Sequence, residues 1–377
     1  MVVNKKIVFV FFVFLFFTEQ QISAQKKLEN YINSIYDKLE GDSAKPQKSI
    51  LFILPIWGVY PETGWQLGLS AVCLFHLKND SITRPSIVRL NSFITEKDQF
   101  SIRPYVDIFT SQNKFNIRAS YTYTKFIEYY WGIGNNTSDA TKELYDFTLN
   151  RFQFRGTYQF YKNMYAGLQF QTTNMNNMNY RGSTLKNSTV AGAQGSFTSG
   201  LGLALSFDNR KQIYFPLDGY FVDATLMFHN NYLGSDFAFT NLIVDARKYI
   251  HLWNKNVLAI QAYGNFNNGD VPFRQLATLG SEIYMRGYYN GRFRDMHAAT
   301  FQAELRKQIW GPFSCTLFAS FGNVSNQAST LLNNIKPNYG IGFRCLAIKK
   351  ENLNIRIDYG RGENGIQGFY FTMNEAF

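Results

Sequence analysis

The sequence predicts an all-β protein, a transmembrane antiparallel β-barrel of about sixteen strands running from residue 49 to 377. Three observations predict it. Aromatic residues make up 17% of the chain, with 24 Tyr and 36 Phe, while charged residues are only another 17%, an unusual balance for a water-soluble globule. Beyond residue 24 no apolar window approaches the about 20 residues that a spanning helix needs. Apolar residues instead recur at every second position over segments of about ten residues, the length of a tilted membrane strand. Strands of soluble sandwiches usually run about five or six.

The elements follow in order. Lys5 and Lys6 precede an apolar run from Ile7 to Phe17, and small residues follow around a cleavage position after Ala24. This is the pattern of a secretory signal peptide over 1–24, and the apolar run is too short to be a spanning helix. Residues 25–48 form a short periplasmic segment. In it Leu28, Tyr31, Ile32, Ile35, Tyr36 and Leu39 fall at helical spacing, so 26–40 is an amphipathic helix that plugs the lumen or lies on the membrane, or else a solvated tail.

From residue 49 the period becomes two. Trp65, Leu67, Leu69, Ala71, Cys73 and Phe75 alternate with Gln66, Gly68 and Ser70. Phe115, Ile117, Ala119, Tyr121 and Tyr123 alternate with polar residues, as do Leu353, Ile355, Ile357 and Tyr359. One face suits hydrocarbon and the other water. Strands are expected to start near about residues 49, 64, 84, 99, 114, 143, 163, 194, 219, 236, 255, 296, 312, 336, 352 and 366. Connections after even-numbered strands are mostly short ("YKN", "LWNKN", "WGP"). Those after odd-numbered strands include "NNTSDATKE" and the large segment from about 269 to 295. Short turns on one rim and long loops on the other are the outer-membrane arrangement, with the short rim periplasmic. The exception is the turn at about 209–218, long for that rim.

Composition also excludes. There is no G-x-S-x-G elbow, no H-E-x-x-H and no C-x-x-C, and His76, His229, His251 and His297 are scattered without ligand spacing. The expectation is a non-enzyme with no cofactor and no metal. Cys73, Cys315 and Cys345 fall on the apolar phase, as free thiols facing lipid. The net charge of +11 is not a nucleic-acid signal in this compartment. Arg89, Arg103, Arg118, Arg306, Arg344 and Arg356 fall on the inward phase with Asp107, Glu304 and Asp358. They build a salt-bridged interior or, as the second reading, tune a pore for anions.

Four stretches carry a family resemblance. "SEIYMRGYYNGRFRD" holds a Met285-Arg286-Gly287-Tyr288 tip preceded by Gly280. "SFDNRKQIYFPLDGYF" holds Asp208, Arg210, Pro216 and Gly219 in a D-x-R-x-x-x-x-P-x-x-G strand-turn-strand pattern. "AELRKQIW" carries the inward Glu304, and "IRIDYGRGENGIQGFYFTMNEAF" reads as a closing strand pair ending in an aromatic. Together they resemble the bacterial surface antigen (BamA/TamA-like) superfamily of outer-membrane barrels, over essentially everything from residue 49 onward. The resemblance implies sixteen strands and an inward-folded sixth extracellular loop. Its tip arginine, here Arg286, bonds acids on the twelfth and thirteenth strands. A guanidinium suits that place because its rigid fork serves two acceptors in a confined space.

The chain departs from the pattern in two places. Ser320 stands on the inward phase of the thirteenth strand where the family usually has aspartate, leaving Glu304 alone, or Asp358, for Arg286. The stretch before the barrel is also too short for periplasmic polypeptide-transport-associated domains. The expected role is an accessory or minimal factor in outer-membrane protein assembly or export in a Gram-negative bacterium. Its partners would be outer-membrane lipid, lipopolysaccharide, client chains and other assembly components. The alternatives are a channel for small anionic solutes and a structural subunit that scaffolds a surface partner. Assembly would work through a weak seam between first and last strands. Pro55 of the first strand cannot donate a ladder hydrogen bond. The last strand is expected to point Phe369, Phe371, Met373 and Phe377 outward, and Gly368, Tyr370, Thr372 and Asn374 inward. Glu375 would interrupt the outer face near the interface.

Overall fold

The computed structural model describes Ser34 and residues 49–377, apart from 61–63, 79, 81, 183–184, 187–188 and 349–351. The signal peptide and, but for Ser34, the expected amphipathic segment lie outside the described residues.

The alternating segments form one sixteen-stranded antiparallel sheet. Its first half is β1 (Ser49–Tyr60), β2 (Gly64–Phe75), β3 (Ser86–Thr95), β4 (Phe100–Phe109), β5 (Phe115–Tyr130), β6 (Glu143–Tyr161), β7 (Met164–Tyr180) and β8 (Ser196–Asp208). Then come β9 (Gly219–His229), β10 (Phe239–His251) and β11 (Val257–Gly269). A separate hairpin, β12 (Ala277–Leu279) with β13 (Phe293–Asp295), is inserted before the sheet resumes. It resumes with β14 (His297–Trp310), β15 (Phe313–Ser325), β16 (Lys336–Ile348), β17 (Leu353–Gly362) and β18 (Gln367–Met373). Every strand pairs with its neighbour in the chain, except that β11 pairs with β14 across the inserted hairpin. No strand begins more than three residues from its expected start.

The period of two sorts the side chains physically. Trp65, Leu67 and Leu69 are 62%, 62% and 58% exposed, whereas Val72 and Leu74 of the same strand are buried at 1% and 2%. The exposed row is the hydrocarbon-facing side, since in a bilayer the outer face of a barrel is the apolar one. The connection between β6 and β7 is a two-residue turn, with Asn163 at φ 62°, a left-handed conformation that asparagine tolerates.

The rims keep the expected asymmetry. Segments 131–142, 181–195, 230–238 and 270–296 form the long side, and 110–114, 162–163, 252–256 and 311–312 the short one. Two turns on the short rim are long, 209–218 and also 76–85. They are bonded together: Arg84 donates to Asp208 Oδ2 at 2.7 Å and to the Arg210 carbonyl at 2.9 Å.

Among the described residues β1 and β18 are not hydrogen-bonded neighbours. What joins their ends is an apolar cluster of Val72, Leu74, Ile87 and Leu353, against which Ile50 and Phe52 of β1 and Met373 of β18 pack.

Candidate functional site

The connection 270–296 returns into the sheet's concave side. Met285, Arg286 and Tyr288 are 0%, 0% and 1% exposed. A main chain carrying a bulky residue at φ 52°, as Met285 does, persists only where its surroundings fix it. Met285 and Tyr288 pack with Ala277, Leu279, Phe293, Ala298 and Val324. Gly287 lies at φ 115°, and a Cβ there would stand 2.8 Å from the Gly360 carbonyl carbon. Reciprocally, a Cβ on Gly360 would meet the Arg286 carbonyl oxygen at 2.4 Å. Two glycines face each other so that the loop backbone can touch β17.

That approach places the Arg286 guanidinium between two carboxylates. Nη1 donates to Asp358 Oδ2 at 2.5 Å and Nη2 to Glu304 Oε2 at 2.6 Å, and both acids are fully buried. The Phe318 ring lies under the charge, 3.6 Å from the guanidinium carbon to its centroid. The acids therefore come from β14 and β17, the twelfth and fifteenth strands of the sheet. β15, the thirteenth, supplies an aromatic face. Ser320 does not touch the guanidinium. It bonds Asn338, whose Nδ2 donates to the Arg286 carbonyl at 2.5 Å. Gly287 N–H donates to the Tyr370 hydroxyl at 2.9 Å, and the Tyr288 hydroxyl donates to the Pro337 carbonyl at 2.9 Å.

Each carboxylate has a second cation. Glu304 Oε1 accepts from Arg306 Nε at 2.7 Å, and Asp358 Oδ1 from Arg344 Nη1 at 2.5 Å. Arg356 adds a bond to Asp358 Oδ2 at 3.1 Å and another to the Glu282 carbonyl at 2.9 Å. Buried charges are tolerated only when paired and hydrogen-bonded, and these meet that condition by sharing.

The network continues into the chain terminus, where the structure departs from the sequence expectation. Phe369 and Phe371 are outward, 65% and 48% exposed, and Pro55 is exposed on β1. Phe377 is not outward: it is 4% exposed and packs with Tyr249, Val257, Ala259, Ala376 and Leu217. Glu375 is not at the lipid interface either. Arg344 Nε donates to it at 2.9 Å and Asn354 Nδ2 at 2.8 Å. The ladder between β17 and β18 ends at Met373, and Asn374 turns at φ 72°. The last residues then leave the sheet for its concave side. Strand phase beyond Met373 no longer applies, because there is no strand. The reason lies in charge: an inward Glu375 finds Arg344 and Arg306, whereas an outward one would face hydrocarbon.

Asp208 and Arg210 form an ion pair of 2.9 Å beside the Arg84 bond. Pro216 is buried in the following turn, and Gly219 opens β9 at φ 108°. Arg84, Phe318, Asn338, Arg344 and Glu375 were not singled out as site residues by sequence. Only the inward phase of Arg344 marked one of them. The three cysteines are free, and Cys345 and Cys315 stand opposite Phe313 and Phe343 rather than each other. Among the described residues no group of three His, Cys, Asp or Glu could hold a metal ion.

Solved structures share this architecture. BamA from Haemophilus ducreyi lacking POTRA domains 1–3 matches with a TM-score of 0.56 at 14% identity, over 88% of this chain and 70% of that one. CdiB from Escherichia coli gives 0.57 at 10% identity, over 88% and 63%, and CdiB from Acinetobacter baumannii 0.53 at 10%, over 87% and 60%. The chain thus spans 60% to 70% of the length of these structures. No curated protein matches. At such identities the likeness is one of fold, and it is the sequence pattern that decides membership: the Omp85 superfamily domain matches residues 95–377, most of the chain, which therefore belongs to the Omp85 superfamily of outer-membrane barrels.

Proposed function

We propose that this barrel is a non-enzymatic factor in outer-membrane protein assembly or export, acting through the seam between β1 and β18. One observation carries the reading: among the described residues the two end strands of the sheet share no ladder, and their ends pack on one apolar cluster of side chains. An edge strand offers unpaired backbone N–H and C=O groups, the template by which a client strand adds to a sheet. β18 has seven residues against twelve in β1, so β1 retains free backbone groups even if the two come together. The buried loop and its ion network would keep the rest of the barrel rigid while the seam opens. Signal-peptide cleavage after Ala24 would deliver the chain to the periplasm, and its partners would be client chains, lipid and other assembly components.

The test is a disulfide engineered between β1 and β18 in a background with the three native cysteines replaced. Loss of function that reduction restores is the expected result. A locked barrel that replaces the wild type fully in cells would overturn the gating reading. Unchanged conductance across a planar bilayer would then mark a channel, and no conductance a scaffold.

A further inference from the structure

The arginines of the concave side differ in their pairing, and Arg118, Arg155 and Arg247 each hold one aspartate. Those on β14 to β17 share carboxylates, as described. Arg151 of β6 has none: among the described residues its one hydrogen bond is from Nε to Thr173 Oγ1, at 3.3 Å. It lines a cavity of about 270 Å³ together with Arg274, Arg294, Glu128, Gln153 and Gln171. Arg294 also lacks an acid among the described residues, its guanidinium bonding the Gly291 and Phe273 carbonyls. Among the described residues Glu128 is the one carboxylate on the cavity wall, and it is engaged twice, by Arg274 and by the Tyr145 hydroxyl at 3.1 Å. Three guanidinium groups thus face one carboxylate. The charged groups acting most on Arg151 are Arg274, Glu128 and Arg103, two of them of its own sign. Arg103 makes no ion pair among the described residues, bonding Ser101 Oγ at 2.9 Å and lying over the Phe93 ring, with Glu282 and Glu128 the carboxylates that act on it from farther off.

A partly desolvated guanidinium without a counter-charge is unfavourable, and a cluster of them more so. The geometry points to a binding site for a small oxyanion in this cavity, a phosphate or a carboxylate, supplying the missing negative charge. The guanidinium fork matches the oxygen spacing of either group. The amides of Gln153 and Gln171, bonded to one another at 2.6 Å, add neutral donors on the same wall. The cavity holds a dianion of a few heavy atoms, not a polymer. This is binding rather than conduction, because loop residues Arg274 and Arg294 form part of the wall.

The experiment uses the purified barrel in detergent. Inorganic phosphate and succinate are titrated separately against chloride at equal ionic strength, reading the midpoint of the heat-induced shift in gel migration. A saturable rise with phosphate or with succinate is expected, and which of them acts tells the oxyanion class. Arg151→Gln should weaken that response at least about ten-fold, since a charge-assisted bond is lost. Arg181→Gln, at an exposed arginine paired with Asp146, should leave it unchanged. Arg151→Gln strands no carboxylate, so the barrel should still form. If it does not, the wild-type titration alone decides. Chloride matching both oxyanions, or Arg151→Gln responding like the wild type, would overturn the site.

Discussion

Arg306 holds Phe377: its Nη2 donates to the Phe377 main-chain oxygen at 2.8 Å, and its guanidinium stands 5.5 Å from the centre of the Phe377 ring. The same side chain bonds Glu304, which bonds Arg286. The sixth extracellular loop and the C-terminus are therefore two ends of one ion network.

The terminus should behave as an interior segment. A cysteine placed at Phe377 in a background free of the native cysteines should react slowly with a water-soluble maleimide in the folded barrel. A fluorophore there should not be quenched by brominated lipid. Strong lipid quenching would return Phe377 to the outer face. Glu375→Gln should also lower the temperature at which the folded band is lost, because Arg344 and Arg306 lose a shared carboxylate.

Replacing Arg286 with Ala removes one of two cations common to Glu304 and Asp358, the other being Arg344. Breaking a fully buried pair costs about 3–5 kcal/mol, and the remaining arginines on both acids should keep the loss at or below that range. The measurement is urea unfolding followed by gel migration. In a double-mutant cycle, Arg286→Ala with Asp358→Asn should be less destabilising than the sum of the singles by about 1 kcal/mol. Strict additivity would show that the ion pair contributes nothing.

Ser320 offers a test by compensation. Asp358→Asn should loosen the loop, and adding Ser320→Asp should recover part of the stability. Ser320 lies on the same strand face as Phe318, over which Arg286 sits, and next to the Asn338 that holds the Arg286 carbonyl. A double variant less stable than Asp358→Asn alone would show that the guanidinium cannot turn toward β15.

Gly287→Ala should unseat the loop. It forces an L side chain to φ 115° and sets a methyl 2.8 Å from the β17 backbone. A loss of about 1 kcal/mol from the conformation alone is expected, with the clash added. The loop of this variant should become sensitive to external protease, and Gly311→Ala, where nothing lies within 4 Å, should not change sensitivity.

The cysteines give a test of strand phase. Alkylation of the denatured, unreduced protein should label Cys73, Cys315 and Cys345 alike, because they occupy the outer phase of β2, β15 and β16. An intramolecular disulfide found by mass spectrometry would place at least two of these strands out of phase.

What the sequence determined by itself was the barrel. Alternation, strand length and rim asymmetry depend on local periods of two and on turn residues, and these are written into consecutive positions. It also marked Glu304, because an acid on an inward phase is a local feature, and Arg286 through the family resemblance of its Met-Arg-Gly-Tyr tip. Three things needed the tertiary structure. The sequence left open whether Arg286 relies on Glu304 alone or also on Asp358, and the fold decides for both acids because the loop crosses to β17 at the Gly287–Gly360 contact, which joins positions far apart in the chain. Arg84 belongs with Asp208 because two turns of one rim meet in space. Glu375 and Phe377 turn inward because alternation holds only while a ladder does. Once the pairing ends at Met373, the direction of each side chain is set by where its charge finds a partner, and only the folded barrel brings Arg344 and Arg306 to that place.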